Sequence, residues 1–158
     1  MAVPQGAVPP PPPTAGKADL TKRFIAALID GLLAGGVSMV PVIGGIVGAA
    51  YILLRDGLTI DFMDRRSIGK KLLKLRPVRA DGQAMDPESS IKRNITLCIG
   101  AVGAIFWVIP ILGWIIAILL GLVGLVVAVI EMVLVLTDPQ GMRMGDKLAG
   151  TKVVEVSE

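Results

Sequence analysis

The chain of 158 residues contains no histidine and a single cysteine, Cys98. Without histidine there is no imidazole base, which excludes Ser–His–Asp and Cys–His catalysis. A zinc site built on Cys and His lacks its ligands, and no metal centre or other cofactor is expected. One cysteine permits no intrachain disulfide, so the sequence does not reveal the redox compartment. Charge is also scarce. Asp, Glu, Lys and Arg make up 18% of the chain, whereas apolar residues make up 53% and mean hydropathy is +0.72. An ordinary soluble domain carries about 25% charged residues. The composition therefore points to a lipid bilayer, and 16.5 kDa allows one domain. No enzymatic constellation stands out, and the expectation is a protein that is not an enzyme.

Six of the eleven prolines lie in the first thirteen residues, five of them as the run Pro9 to Pro13. Such a segment has nothing to bury and reads as polyproline II, so residues 1–19 are expected to form a disordered proline-rich head. It has neither the basic nor the apolar region of a secretory signal. Its role is either to bind a proline-recognising protein partner or, the plainer reading and the favoured one, to act as a solvated tether.

Two long apolar stretches follow. Residues 24–54 carry one charge, Asp30, and residues 95–137 carry one, Glu131. A spanning helix takes about 20 apolar residues. The second stretch is therefore two spans, broken near Pro110 to Gly113. As one helix the first would run about 46 Å, beyond a hydrocarbon core of about 30 Å. As two it breaks near Pro41 to Gly45. The basic residues decide between these. All 16 lie outside the apolar stretches, and both candidate tips are uncharged. With two helical hairpins every basic residue falls on one side, which the positive-inside rule makes cytoplasmic. The expected fold is an all-α membrane protein with four transmembrane helices. The spans fall at about 24–38, 41–55, 95–110 and 114–137, with both termini cytoplasmic.

The transmembrane domain is expected to cover residues 20–154, with a cytoplasmic loop at 56–94 and a tail at 155–158; the segment 55–94 carries net charge +4. Residues 71–78 and 151–156 read as strands that pair into a small cap, and Ser89 or Ser90 reads as the N-cap of the third span. The glycine spacings Gly31/Gly35 and Gly44/Gly48, and Gly100 with Ala104, permit close helix contact, either within the protomer or in a homo-oligomer. Trp107 and Trp114 suit an outer interfacial belt.

Asp30 is the sharpest chemical feature, because an ionised carboxylate in hydrocarbon must be paired, protonated or turned to a polar cavity. Arg23, seven residues earlier, is too far along the helix for a direct bridge. Arg93, Arg143 or Lys147 are the expected partners. The site either handles a proton or cation or is a buried structural pair. Glu131 stands at a similar depth and could share that site or snorkel to the interface. Arg143 breaks the GxGD pattern of intramembrane proteases, and Asp64 occupies the place of the first P-loop glycine before Gly69-Lys70. The central loop could touch anionic lipid, but its six acidic residues dilute it. No nucleic-acid motif accompanies the charge.

Taken together these segments resemble the RDD family of bacterial membrane proteins, named for an arginine and two aspartates. Lys22-Arg23 with Asp30 matches its opening motif. Ser67-Ile68-Gly69-Lys70-Lys71-Leu72 resembles its Thr-x-Gly-Lys segment, and Arg79-Ala80-Asp81-Gly82 and Arg93-Asn94 its next landmarks. Gly145-Asp146-Lys147 through Thr151 to Val154 matches its closing motif and supplies the second aspartate. The resemblance implies a multi-span protein of the bacterial inner membrane whose role is mostly undefined, with transport of unidentified ligands and sodium–proton exchange among the ideas. It favours Arg23, Asp30 and Asp146 as the site, supported by Arg93. The first hairpin looks shorter than is usual for the family, and Glu131 is outside its pattern. Two functions remain open, a small ion or solute transporter and a non-transporting scaffold or assembly factor. Four spans without an obvious internal repeat leave the transporter no evident alternating pair.

Overall fold

The computed structural model describes residues 17–40 and 43–156. Four longer helices and four five-residue elements build it: α1 (Leu20–Ser38), α2 (Ile43–Leu54), α3 (Ile68–Leu72), β1 (Leu75–Arg79), α4 (Pro87–Gly103), α5 (Leu112–Thr137), α6 (Met144–Leu148) and β2 (Thr151–Glu155), with a 3-10 turn over Ala104–Val108 between α4 and α5. The proline-rich head up to residue 16 lies outside the described residues.

The carboxylate of Asp19 starts α1 by accepting the Lys22 N–H at 2.8 Å, as an N-cap does. Lys17, Ala18 and Asp19, expected in the disordered head, therefore belong to the folded part. Ala18 is buried with Ala26, Leu75 and Val153 in the small apolar core of the cap. Lys17 Nζ donates to the carbonyls of Leu136 and Asp138 at the C-terminal end of α5.

Helices α1 and α2 form a hairpin whose backbones nearly touch. A Cβ on Gly44 would lie 2.2 Å from the Val37 carbonyl, and one on Gly48 would lie 3.0 Å from that of Ala34. This glycine pair serves packing inside the protomer. Gly44 and Gly45 sit within α2, so the break falls at residues 39–42, of which 41 and 42 are outside the described residues. The second hairpin closes in the same way, because a Cβ on Gly124 of α5 would meet Gly100 of α4 at 2.6 Å. Its break is where Pro110 to Gly113 place it. Ile111 adopts φ +63° and α5 begins one residue later. The Trp107 and Trp114 rings lie 6.5 Å apart beside that turn.

Helix α4 starts eight residues before the expected third span, so the loop expected at 56–94 is shorter. The Ser89 N–H donates to Asp86 at 2.7 Å. Asp86 therefore caps the helix, and Ser89 and Ser90 lie inside its first turn. Between the hairpins Ser67 caps α3 by accepting the Lys70 N–H, which takes residues 68–72 out of the strand expected from 71. The strand begins after Lys74, which turns the chain at φ +55°. As expected, the two strands pair; the ladder is antiparallel, with Pro77 opposite Val153.

Burial is inverted relative to a soluble protein. The largest fully buried side chains include Arg66, Arg93, Asn94, Asp30, Asp56 and Asp146, while Leu122, Val126 and Ile130 of α5 are exposed. Soluble folds bury the apolar and expose the charged; lipid rewards the reverse. Helix α5, of 26 residues and mean hydropathy 2.9, is about 39 Å long. Among the described residues it is the one helix that by itself is long and apolar enough to cross a membrane.

Candidate functional site: a buried ionic lattice

The polar side chains converge at the end of the helices next to the cap. Asp30, buried in α1, has its Oδ2 3.2 Å from Arg55 Nη1. Its Oδ1 accepts the Tyr51 hydroxyl and the Gly69 N–H, each at 2.9 Å. The expected partners Arg93, Arg143 and Lys147 are not the ones it finds. The antiparallel hairpin returns α2 beside α1, so Arg55, just past the end of α2, meets Asp30. Lys147 instead pairs with Asp138 at 2.7 Å.

Asp56 and Asp146 form the centre. Asp56 accepts Lys70 Nζ at 2.5 and 2.7 Å and the Ser67 N–H at 3.2 Å. Asp146 is ringed by three arginines, Arg23, Arg93 and Arg143, each at 3.2 Å. Arg93 bridges the two carboxylates, with Nε 3.2 Å from Asp56 and Nη2 3.2 Å from Asp146. Its Nη1 donates to Thr151, whose hydroxyl donates on to the Asp146 carbonyl. Arg143 also donates to Asn94 at 2.8 Å. Of the residues the sequence singled out, the structure thus joins Arg23, Arg93, Asp146 and Thr151 around one carboxylate. Asp30 with Gly69, and Lys70 with Asp56, form adjoining pairs.

Glu131 stands apart from Asp30, and the two share no partner among the described residues. It is buried rather than snorkelling. Its Oε1 accepts the Thr96 hydroxyl at 2.7 Å and the Gly145 N–H at 3.2 Å. Its Oε2 is buried without a hydrogen-bond partner among the described residues. Sequence reading missed Asp56, Arg55 and Tyr51. Asp56 had counted only as one of the acids diluting a basic loop, and no spacing marked it as buried.

The charges set the protonation. Burial pushes the Asp56 carboxyl up, but Lys70, Arg93 and Arg55 outweigh it and hold it well below the usual carboxylate range. Burial likewise works against ionised Asp146, and Arg93, Arg143 and Arg23 more than offset it. For Lys70 burial wins over the pull of Asp56 and brings the ammonium down to about 7. Two depressed carboxyls have a pH consequence. When the folded pKa lies below the unfolded value, the unfolded chain takes up protons first as pH falls. Their contribution is present above the unfolded carboxylate value of about 4 and is lost below it. In detergent, the melting temperature should therefore be insensitive to the two carboxyls between about pH 7 and 5 and fall steeply below about 4. Thermal unfolding across that range checks this, and Asp146→Asn should flatten the acid limb.

An apolar exterior around a charged, buried base defines a helical membrane protein, associated with the lipid bilayer and closed at one end by a polar cap. The chain belongs to the RDD family, whose profile matches residues 46–150. That region contains Asp56, Lys70, Arg93, Glu131 and Asp146, whereas Arg23 and Asp30 precede it. No curated protein and no solved structure gives a match.

Proposed function

We propose that this RDD-family chain is a non-enzymatic, non-transporting membrane scaffold or accessory protein. Its ionic lattice latches the cytoplasmic cap to the helices. The observation that carries this reading is that Asp146 is held by three arginines while Asp56 and Asp30 have cations of their own. A carboxylate so neutralised fixes geometry, and releasing it to carry a proton or ion would leave buried cations uncompensated. A transporter is the second reading. It is favoured by the Lys70 ammonium, which burial lowers to about 7 despite Asp56, and by Glu131 Oε2, which has no hydrogen-bond partner among the described residues.

Proteoliposomes separate the two. Under imposed pH and sodium gradients the scaffold reading expects no flux from folded wild type, and lower stability in Asp30→Asn. Cation-dependent flux that disappears in folded Asp30→Asn overturns it.

The proposed topology is four crossings, by α1, α2, α4 with its 3-10 turn, and α5, with both termini in the cytoplasm. The uncharged tips and the one-sided basic residues support it. Met39 and Leu112 are exposed at the two tips. In a Cys98→Ala background, Met39→Cys and Leu112→Cys should both react with an impermeant thiol reagent on intact cells. Labelling of Met39→Cys only after permeabilisation rules out the four-span arrangement.

A further inference from the structure

Two halves of the chain repeat one another. Lys22-Arg23-Phe24-Ile25 at the start of α1 and Lys92-Arg93-Asn94-Ile95 in α4 share Lys-Arg-x-Ile, and Ile29 and Ile99 follow at the same interval. Ile68-Gly69-Lys70-Lys71-Leu72 and Met144-Gly145-Asp146-Lys147-Leu148 share apolar-Gly-charged-Lys-Leu. Each is a five-residue helix. Gly145 follows Gly69 at the interval at which β2 follows β1. Each half is thus a helical hairpin, a short helix and a strand, in that order.

The three-dimensional contacts repeat as well. A Cβ on Gly69 would lie 2.2 Å from the Ala26 carbonyl of α1, and one on Gly145 would lie 1.9 Å from the Arg93 carbonyl of α4. Both short helices therefore press onto the first helix of their own half. Both glycine N–H groups donate to a carboxylate from their own hairpin, Asp30 at 2.9 Å and Glu131 at 3.2 Å. The last residue of each strand reaches the aspartate that caps a hairpin. Arg79 donates to Asp86 at 2.6 Å, and Glu155 accepts the Asp19 N–H at 2.8 Å. The ladder is symmetric. Its third residues, Pro77 and Val153, face each other, and Leu75 faces Glu155 as Arg79 faces Thr151. A half-turn through the Pro77–Val153 pair exchanges the strands.

We infer that the chain is a duplicated unit, residues 17–79 and 86–155, whose halves bind each other as two protomers about a pseudo-twofold axis. The seam of each half is an interaction surface that fits a second copy of the same unit. Across the seam run the ladder, Arg23–Asp146, Lys22–Glu155 and Arg93–Asp56. Within the halves lie Asp30–Arg55, Asp56–Lys70 and the bonds of Glu131. The equivalent positions of Lys70 and Asp146 carry opposite charge, and so do those of Arg55 and Glu131, which stand equally far before α3 and α6. Of these only Asp146 faces the other half, where it meets Arg23; a second copy of the first half would set Lys70 opposite Arg23 instead, which disfavours that half against itself. The sequence alone showed no obvious repeat because the two segments differ at most buried charged positions.

Hydrogen exchange on the full chain in detergent tests the inference, since two bound units should open as separate cooperative blocks. Lys22→Gln/Arg23→Gln removes two seam pairs and no pair internal to a half. Amides of β1 and β2 should then exchange at least ~10-fold faster while those of Gly69 and Gly145 stay within about twofold of wild type. Equal acceleration at the two glycines, or none in the strands, overturns the inference. A measurement that leaves every side chain in place guards against a misfolded variant. After a protease site inserted at Gly82 of the folded chain is cut, both fragments should remain in one particle with Gly69 and Gly145 protected. Loss of that protection on cleavage overturns the inference as well.

Discussion

Asp146→Asn should destabilise the protein by about 3–5 kcal/mol, the range for removing one partner of a buried ion pair. The substitution keeps the shape of the side chain and deletes its charge. Arg23, Arg93 and Arg143 then face one another, with Arg93 fully buried and Arg143 nearly so. Because Asp146 also anchors the start of α6 through the Arg143 N–H, the cap should loosen from α4. Thermal unfolding in detergent, with exposed Asp61→Asn as the control, measures the effect. A loss under about 1 kcal/mol, the scale of an exposed pair, would show that the three arginines do not depend on this carboxylate.

Gly145→Ala should be at least as damaging, and for a steric reason. The added Cβ would lie 1.9 Å from the Arg93 carbonyl oxygen. A backbone atom inside a helix cannot swing aside as a flexible side chain can. Helix α6 would have to lift from α4, which breaks the bond from the Gly145 N–H to Glu131 and withdraws Asp146 from its arginines. The expected cost is about 3 kcal/mol or more, enough that little folded protein accumulates. Gly31→Ala is the informative contrast. Nothing lies within 4 Å of its added Cβ, and alanine gains up to about 1 kcal/mol of helix propensity over glycine. Chromatographic profiles of solubilised membranes should show a normal peak for Gly31→Ala and a depleted one for Gly145→Ala. Comparable peaks from both would mean that α6 does not sit flush on α4.

Much of this architecture was legible because charge and hydrophobicity are so sharply partitioned along the chain. The helix ends near Ser38 and at Pro110 to Gly113 follow from proline, glycine and the run of apolar residues alone. Strand pairing followed from two short strand-like segments outside the apolar stretches, the second of them rich in β-branched residues. The lattice was legible only in part. Asp30 and Glu131 stand out because each is a lone charge in an apolar stretch. Asp56 and Arg55 do not, since they sit among fourteen other charges in residues 55–94 and only the closing of the first hairpin turns them inward. Arg23 and Asp146 lie at opposite ends of the chain, and no local spacing links them; the family resemblance suggested that they belong together, and the structure supplies their contact. The start of α4 was misplaced for a different reason. Two serines offered a cap, but Asp86 before Pro87 offers one earlier, and proline favours the first turn of a helix.

The two-stranded ladder also acts as a draught line on a hull. A sheet of two strands has two open edges, each with peptide N–H and C=O groups facing outward. Hydrocarbon cannot satisfy such groups, and lipid-exposed sheet edges do not occur within it. The oily layer must therefore end short of β1 and β2, with their edges left to water and headgroups. Gly69 lies against Ala26, so α3 holds the sheet close to the lower turns of α1. The hull cannot settle deeper without drowning those edges, nor ride higher without baring the leucines and valines of α5.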